Sequence, residues 1–231
     1  MPLEIVERPS PNHDARAEGP VDILVMHYTG MKTAEEALAR LCDPEAKVSS
    51  HYTIDRDGTV YRHVAEDRRA RHAGVSYWAG VRDVNSRSIG IEIVNPGHEF
   101  GYISFAEPQI AALVDLSSAI LARHPIAPSR VVGHSDVAPN RKQDPGELFP
   151  WARLAEFGIG VWPGDPARAG GPVDAERFAA DLARFGYGVP PEVDWRLADV
   201  IAAFQRHFRP SCINGIPDAE CQALLARLLA A

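Results

Sequence analysis

The sequence predicts an α/β fold: a central mixed β-sheet flanked by helices, followed by a small three-helix domain. Three observations predict it. Short apolar runs at 23–26, 88–95 and 130–134 alternate with stretches of helical periodicity, the pattern of strands feeding one sheet. A hairpin signal lies between the first two runs and adds an antiparallel pair. A Pro/Gly-rich stretch, PGDPARAGGP at 163–172, then separates this body from three apolar-periodic segments. The expected organisation is an N-terminal arm over 1–20, a main domain over 21–162, a linker over 163–172 and a three-helix domain over 173–231.

Residues 1–20 are rich in Pro, Asn, Asp and Arg and read as an extended, partly mobile arm on the domain surface. The run Ile23-Leu24-Val25-Met26 is a short buried strand that ends on His27. Thr33 precedes two glutamates and the apolar positions Ala37, Leu38 and Leu41, which predicts a Thr-capped helix ending at Asp43-Pro44. Ser49–Asp55 and Thr59–Val64 are β-rich runs joined by Arg56-Asp57-Gly58, with Asp-Gly at the turn. Residues 71–80 read as loop. Ile89, Ile91 and Ile93 alternate in the next strand, so Glu92 lies on the face opposite to theirs. Ser104 to His124 predicts the longest helix, with Ser104 as cap and Glu107 at N3. Arg130–His134 is a strand ending on a second histidine. Residues 135–150 are a loop studded with Pro, Asp and Gly, and 151–158 a short helix. Asp174–Phe185, Asp194–Phe208 and Asp218–Leu229 are the three final helices, each behind an acidic cap.

Composition excludes several classes. A 45% apolar and 24% charged chain is ordinary for a globular protein. A net charge of −7 argues against a nucleic-acid binder, which needs a basic face. No apolar stretch approaches the roughly 20 residues that span a bilayer. The N-terminal stretch has no basic start, apolar h-region or small-residue cleavage site, so the expected location is the cytoplasm, or the periplasm if an export signal has been trimmed. Cys42, Cys212 and Cys221 form no CxxC pair and fit reduced thiols. The chain is expected to act as a monomer.

The residues that carry chemistry are few. His27 and His134 sit at strand ends, and Asp144 lies ten residues after His134. Two imidazoles and a carboxylate form a candidate His₂Asp metal set with an open fourth position, a donor set that fits zinc better than Mg²⁺ or Ca²⁺. The plain alternative for His27 is a core histidine bonded to a backbone carbonyl. Glu92 is either a surface-facing acid on a half-buried sheet or a general base. Lys142 is either a solvated loop lysine or a fixed charge that stabilises an oxyanion.

VDILVMHYTG, SSHYTIDRDGTVYRHV, RHAG, SIGIEIVN and GHSDVAPNRKQDPGELFPW together resemble the zinc-dependent N-acetylmuramoyl-L-alanine amidases of the amidase-2 family. That family is related to peptidoglycan recognition proteins and T7-type phage lysozyme. The resemblance runs in order from about residue 20 to about residue 160, and 133–151 is its most specific part. It implies Zn²⁺ as cofactor, held by His27, His134 and Asp144, with Glu92 as base and Lys142 stabilising the transition state. It implies hydrolysis of the amide between N-acetylmuramic acid, or its 1,6-anhydro form, and L-alanine in peptidoglycan or muropeptides. It places His72 and Asn95 where relatives shape the substrate groove. Asn140 and Gln143 stand where many relatives have Gly and Thr, a difference of loop detail.

FAADLARFGYGV, DVIAAFQRHFRP and GIPDAECQALLARL resemble a small three-helix peptidoglycan-binding domain. The alternative is a helical cap that only covers the main domain. For the whole chain the rival is a non-catalytic peptidoglycan recognition protein on the same scaffold; the presence of all five residues disfavours it. A serine hydrolase would want a G-x-S-x-G elbow, and none occurs. Cys42 sits at a helix end with no motif around it.

Overall fold

A computed structural model of the chain describes residues 4–17, 19–164 and 173–230. The main sheet is built from β1 (Ile5–Glu7), β3 (Ile23–Tyr28), β4 (Tyr52–Ile54), β5 (Val60–Arg62), β7 (Ser88–Ile93) and β8 (Val131–Gly133). Its spatial order is β1-β5-β4-β7-β3-β8. Strands β4, β7, β3 and β8 are parallel, β4 and β5 form the antiparallel hairpin, and β1 joins β5 in parallel. The sheet is therefore mixed, as the hairpin among isolated apolar runs predicted. Gly58 sits in the hairpin turn at φ 90, a conformation natural to glycine. The N-terminal residues do more than cover the surface: β1 closes one sheet edge, and β2 (His13–Ala15) pairs antiparallel with β6 (Arg68–Ala70).

The parallel register decides what each face carries. Leu24 and Met26 share one face with Ile89, Ile91, Ile93 and Val131. That face packs on α4 (Glu107–Arg123) through Ile110, Leu113, Leu116 and Ile120. Ile23 and Val25 share the other face with Val132, and there they meet α7 (Ala175–Phe185), α8 (Leu197–Phe208) and α9 (Ala219–Ala230). Phe178, Leu182, Phe204, Leu224 and Leu225 of these helices lie in one apolar cluster with the strand residues. Full burial of such side chains stabilises by about 1.5–3 kcal/mol each. The three C-terminal helices and the sheet thus share a core. Most of the expected linker, residues 165–172, lies outside the described residues.

Helix α1 (Ala34–Cys42) starts as expected, with Thr33 Oγ1 accepting from the Glu36 N–H. Helix α4 starts two residues later than Ser104 as cap suggested, with Ala106 at the cap. Buried Gln109 sets the start: its Oε1 accepts from the Ala106 N–H at 3.0 Å while its Nε2 donates to the Val94 carbonyl at 2.9 Å. Asp174 caps α7 and the Asp218 carboxylate accepts from Cys221 N–H in α9, but Arg196, not Asp194, stands at the start of α8. Strand β6 was hidden in sequence because its residues are charged. Its neighbour β2 supplies the matching acid, with Asp14 bridging Arg69 and Arg71.

Candidate metal centre

Period-two alternation along β3 carries the apolar face on to His27, which is 1% exposed. Its register partner on β7 is Glu92, so both side chains leave the sheet on the face where Ile23 and Val25 pack. Strand β8 ends at Gly133, and His134 opens the single-turn helix α5 (His134–Val137). A Cβ on Gly133 would meet Pro145 at 2.8 Å, so the glycine lets the following loop fold back against the strand end. The Ser135 N–H donates to the Asp144 carbonyl at 2.8 Å, which seats Asp144 against His134.

The result is a triangle of donor atoms. His27 Nδ1, His134 Nδ1 and Asp144 Oδ2 lie 3.0 Å from one another on every edge. These residues form a group that could hold a metal ion. The chemistry of the donors fits that role. His134 Nε2 donates to the Ala73 carbonyl at 3.1 Å, which leaves its Nδ1 bearing a lone pair. Burial opposes ionisation of Asp144, but the neighbouring His134 and His27 imidazoles hold its carboxyl far below the usual range. Burial, reinforced by His134, brings His27 down to about 4, so this ring is neutral at pH 7.

Glu92 shares a cleft of about 460 Å³ with His134, Asp144, Lys142 and His72. Burial, reinforced by the Asp144 carboxylate and opposed by Lys142, raises its carboxyl well above the ordinary value. Its Oε2 is buried with no hydrogen-bond partner. A carboxyl held this way is suited to carry a proton. On this face of β7 Ser88 and Gly90 are buried, and Glu92 is partly buried where it opens on the cleft.

The other two expected residues, His72 and Asn95, sit in different places. His72 touches the cleft, but the ring lies behind His27, with His72 Nδ1 3.0 Å from His27 Nε2. Asn95 is fully buried, its amide donating to the Ile103 carbonyl and accepting from the Gly97 N–H. These bonds fasten the loop after β7. Two features were missed. Tyr28 and His98 line the cleft and are linked at 2.9 Å, and His98 continues to Glu147 at 3.0 Å. Asp136, fully buried in α5, accepts from the Gly133 N–H, the Tyr187 hydroxyl and His207 Nδ1, each at 2.7 Å. The last two donors come from the C-terminal region, 51 and 71 residues away, so no local pattern could announce them.

A buried triangle of two imidazoles and a carboxylate, with an acid and a lysine in the same cleft, is the equipment of a metal-assisted hydrolase. Comparison with known proteins narrows the class. The Amidase_2 family, N-acetylmuramoyl-L-alanine amidase, matches residues 17–147. The chain is 41% identical to the N-acetylmuramoyl-L-alanine amidase AmiD of Escherichia coli K12, over 90% of this chain and 82% of that protein. It is 35% identical to the 1,6-anhydro-N-acetylmuramyl-L-alanine amidase AmpD of Citrobacter freundii, over 63% of this chain and 86% of that one. A solved complex of Escherichia coli AmiD with the substrate anhydro-N-acetylmuramic acid-L-Ala-D-gamma-Glu-L-Lys superposes with a TM-score of 0.82 at 39% identity, covering 93% of this chain and 90% of that one. The chain belongs to the N-acetylmuramoyl-L-alanine amidase family and is an amide hydrolase of that family.

Proposed function

We propose that this protein cleaves the amide bond between N-acetylmuramic acid, in its 1,6-anhydro form among others, and L-alanine, using a zinc ion held by His27, His134 and Asp144. The observation that carries this reading is the 3.0 Å donor triangle opening on the same cleft as Glu92 and Lys142. A zinc ion held there would supply Lewis-acid chemistry, acidifying a water and polarising the scissile carbonyl. Glu92 Oε2, free of other partners, takes the proton from the attacking water and returns it to the departing alanine nitrogen. Amide hydrolysis needs that return because an amine anion is a poor leaving group. Lys142 sets a positive charge beside the carbonyl oxygen as it gains negative charge. A peptidoglycan-derived substrate fits the substrate bound in the AmiD complex. Among the described residues no helix is long and apolar enough to cross a membrane.

A recognition protein that does not cut would have no use for an unpartnered buried acid beside the donor triangle. The test is turnover of a defined anhydro-muropeptide by Glu92→Gln. A loss of about 10²–10⁴-fold with zinc content retained is expected. Near wild-type turnover overturns the assignment of Glu92.

For the C-terminal helices we propose a role as a buttress of the catalytic body. The shared core and the two donors to Asp136 support it.

A further inference from the structure

His72 makes no use of its place at the back of the cleft in the chemistry above, yet its ring has a defined set of neighbours. Nδ1 lies 3.0 Å from His27 Nε2, and Nε2 lies 3.2 Å from Ser88 Oγ. Ser88 has one hydroxyl hydrogen, and its Oγ donates to the Val84 carbonyl at 2.6 Å. A carbonyl accepts only, so that hydrogen is committed. Ser88 Oγ must then accept from His72 Nε2–H. His72 Nδ1 is left with a lone pair and must accept from His27 Nε2–H. His27 Nδ1 is left bare, facing His134 and Asp144.

The neighbouring residue does the same for the other histidine. The Ala73 carbonyl accepts from His134 Nε2–H at 3.1 Å, which leaves His134 Nδ1 bare. Both residues are held from behind by one side chain: Asn85 Oδ1 accepts from the His72 N–H at 3.1 Å and from the Ala73 N–H at 2.8 Å. The sequence makes room for this. Ser88 and Gly90 lie on the Glu92 face of β7, and a Cβ on Gly90 would sit 2.5 Å from His72 Cγ.

We propose that His72 is a positioning residue whose ring, oriented by Ser88 and fastened with Ala73 by Asn85, holds His27 in the tautomer that presents Nδ1 to the metal. Residues 72 and 73 thus set the hydrogen-bond direction of both imidazoles in the donor triangle. A ligating histidine whose second nitrogen loses its partner costs about 10–100-fold in metal affinity. This inference rests on the zinc reading given above, and the test separates the two.

The experiment measures zinc dissociation constants by chelator competition for the wild type, His72→Leu, His72→Asn and Ser88→Ala, with thermal unfolding of each metal-free protein as the check on folding. His72→Leu should bind zinc about 10–100-fold more weakly. Ser88→Ala should shift affinity in the same direction, because it removes the acceptor that orients His72. His72→Asn keeps a carbonyl oxygen near the Nδ1 position and should recover most of the affinity. Long-range ¹⁵N–¹H spectra of the zinc-loaded wild type should show His72 and His27 both protonated at Nε2. A wild type that takes up no zinc refutes the zinc reading itself. Zinc uptake by the wild type with His72→Leu unchanged, or a His72 protonated at Nδ1, overturns the positioning role alone. If His72→Leu does not fold, the spectra and Ser88→Ala decide.

Discussion

Gly90→Ala is the substitution whose cost can be worked most directly from the structure. The added methyl would lie 2.5 Å from His72 Cγ and 2.6 Å from its Nδ1, inside any real contact distance. The His72 ring has little room to retreat, with His27 on one side and His51 at 5.6 Å between ring centroids on another. Overpacking of this kind costs about 1–3 kcal/mol. For a chain of this size each kcal/mol lowers Tm by about 2–4 °C, so a fall of about 2–12 °C is expected. Calorimetry of the metal-free protein measures it. The same displacement should move His72 off His27 and weaken zinc binding. A double-mutant cycle isolates the cause, because in a His72→Ala background the new methyl has nothing to strike and should cost little. If Gly90→Ala costs the same in both backgrounds, within about 0.5 kcal/mol, the steric reasoning is wrong.

Other outcomes follow from the site. Asp144→Asn should lose zinc and turnover together, since it removes the anionic member of a donor triangle with 3.0 Å edges; metal analysis after dialysis checks this. Lys142→Ala should keep zinc and lower kcat by about 10²–10³-fold, as the loss of one oxyanion-stabilising group does. Tyr187→Phe removes a 2.7 Å hydrogen bond to the buried Asp136 carboxylate and should destabilise by about 1.5–3 kcal/mol, read as a lower Tm with the circular-dichroism spectrum unchanged.

The apolar runs, the Thr33 cap and the Asp-Gly turn carried most of the fold in local patterns. What they could not carry is the second face of the sheet. Alternation in β7 correctly put Glu92 opposite the isoleucines, but what Glu92 meets there, a cleft lined by His134, Lys142 and Asp144, is supplied by residues some forty to fifty positions later. The start of α4 shows the same limit. Ser104 is a good cap by type, yet Gln109 reaches the Val94 carbonyl across the fold and moves the helix start. His27, His134 and Asp144 were legible as donor types on strand ends and a loop, and resemblance made them a set. His72 was legible only as part of RHAG, because its partners Ser88 and Asn85 are ordinary residues until the chain brings them together.

The bonds from Tyr187 and His207 to Asp136 have a consequence for how the molecule comes apart. Opening the C-terminal helices would strip two donors from a carboxylate with no exposure to water and uncover the apolar strand face at Ile23, Val25 and Val132. Partial opening is therefore disfavoured from both sides. The helices and the short helix α5 that carries His134 should melt as one cooperative unit, read by calorimetry as a single unfolding transition.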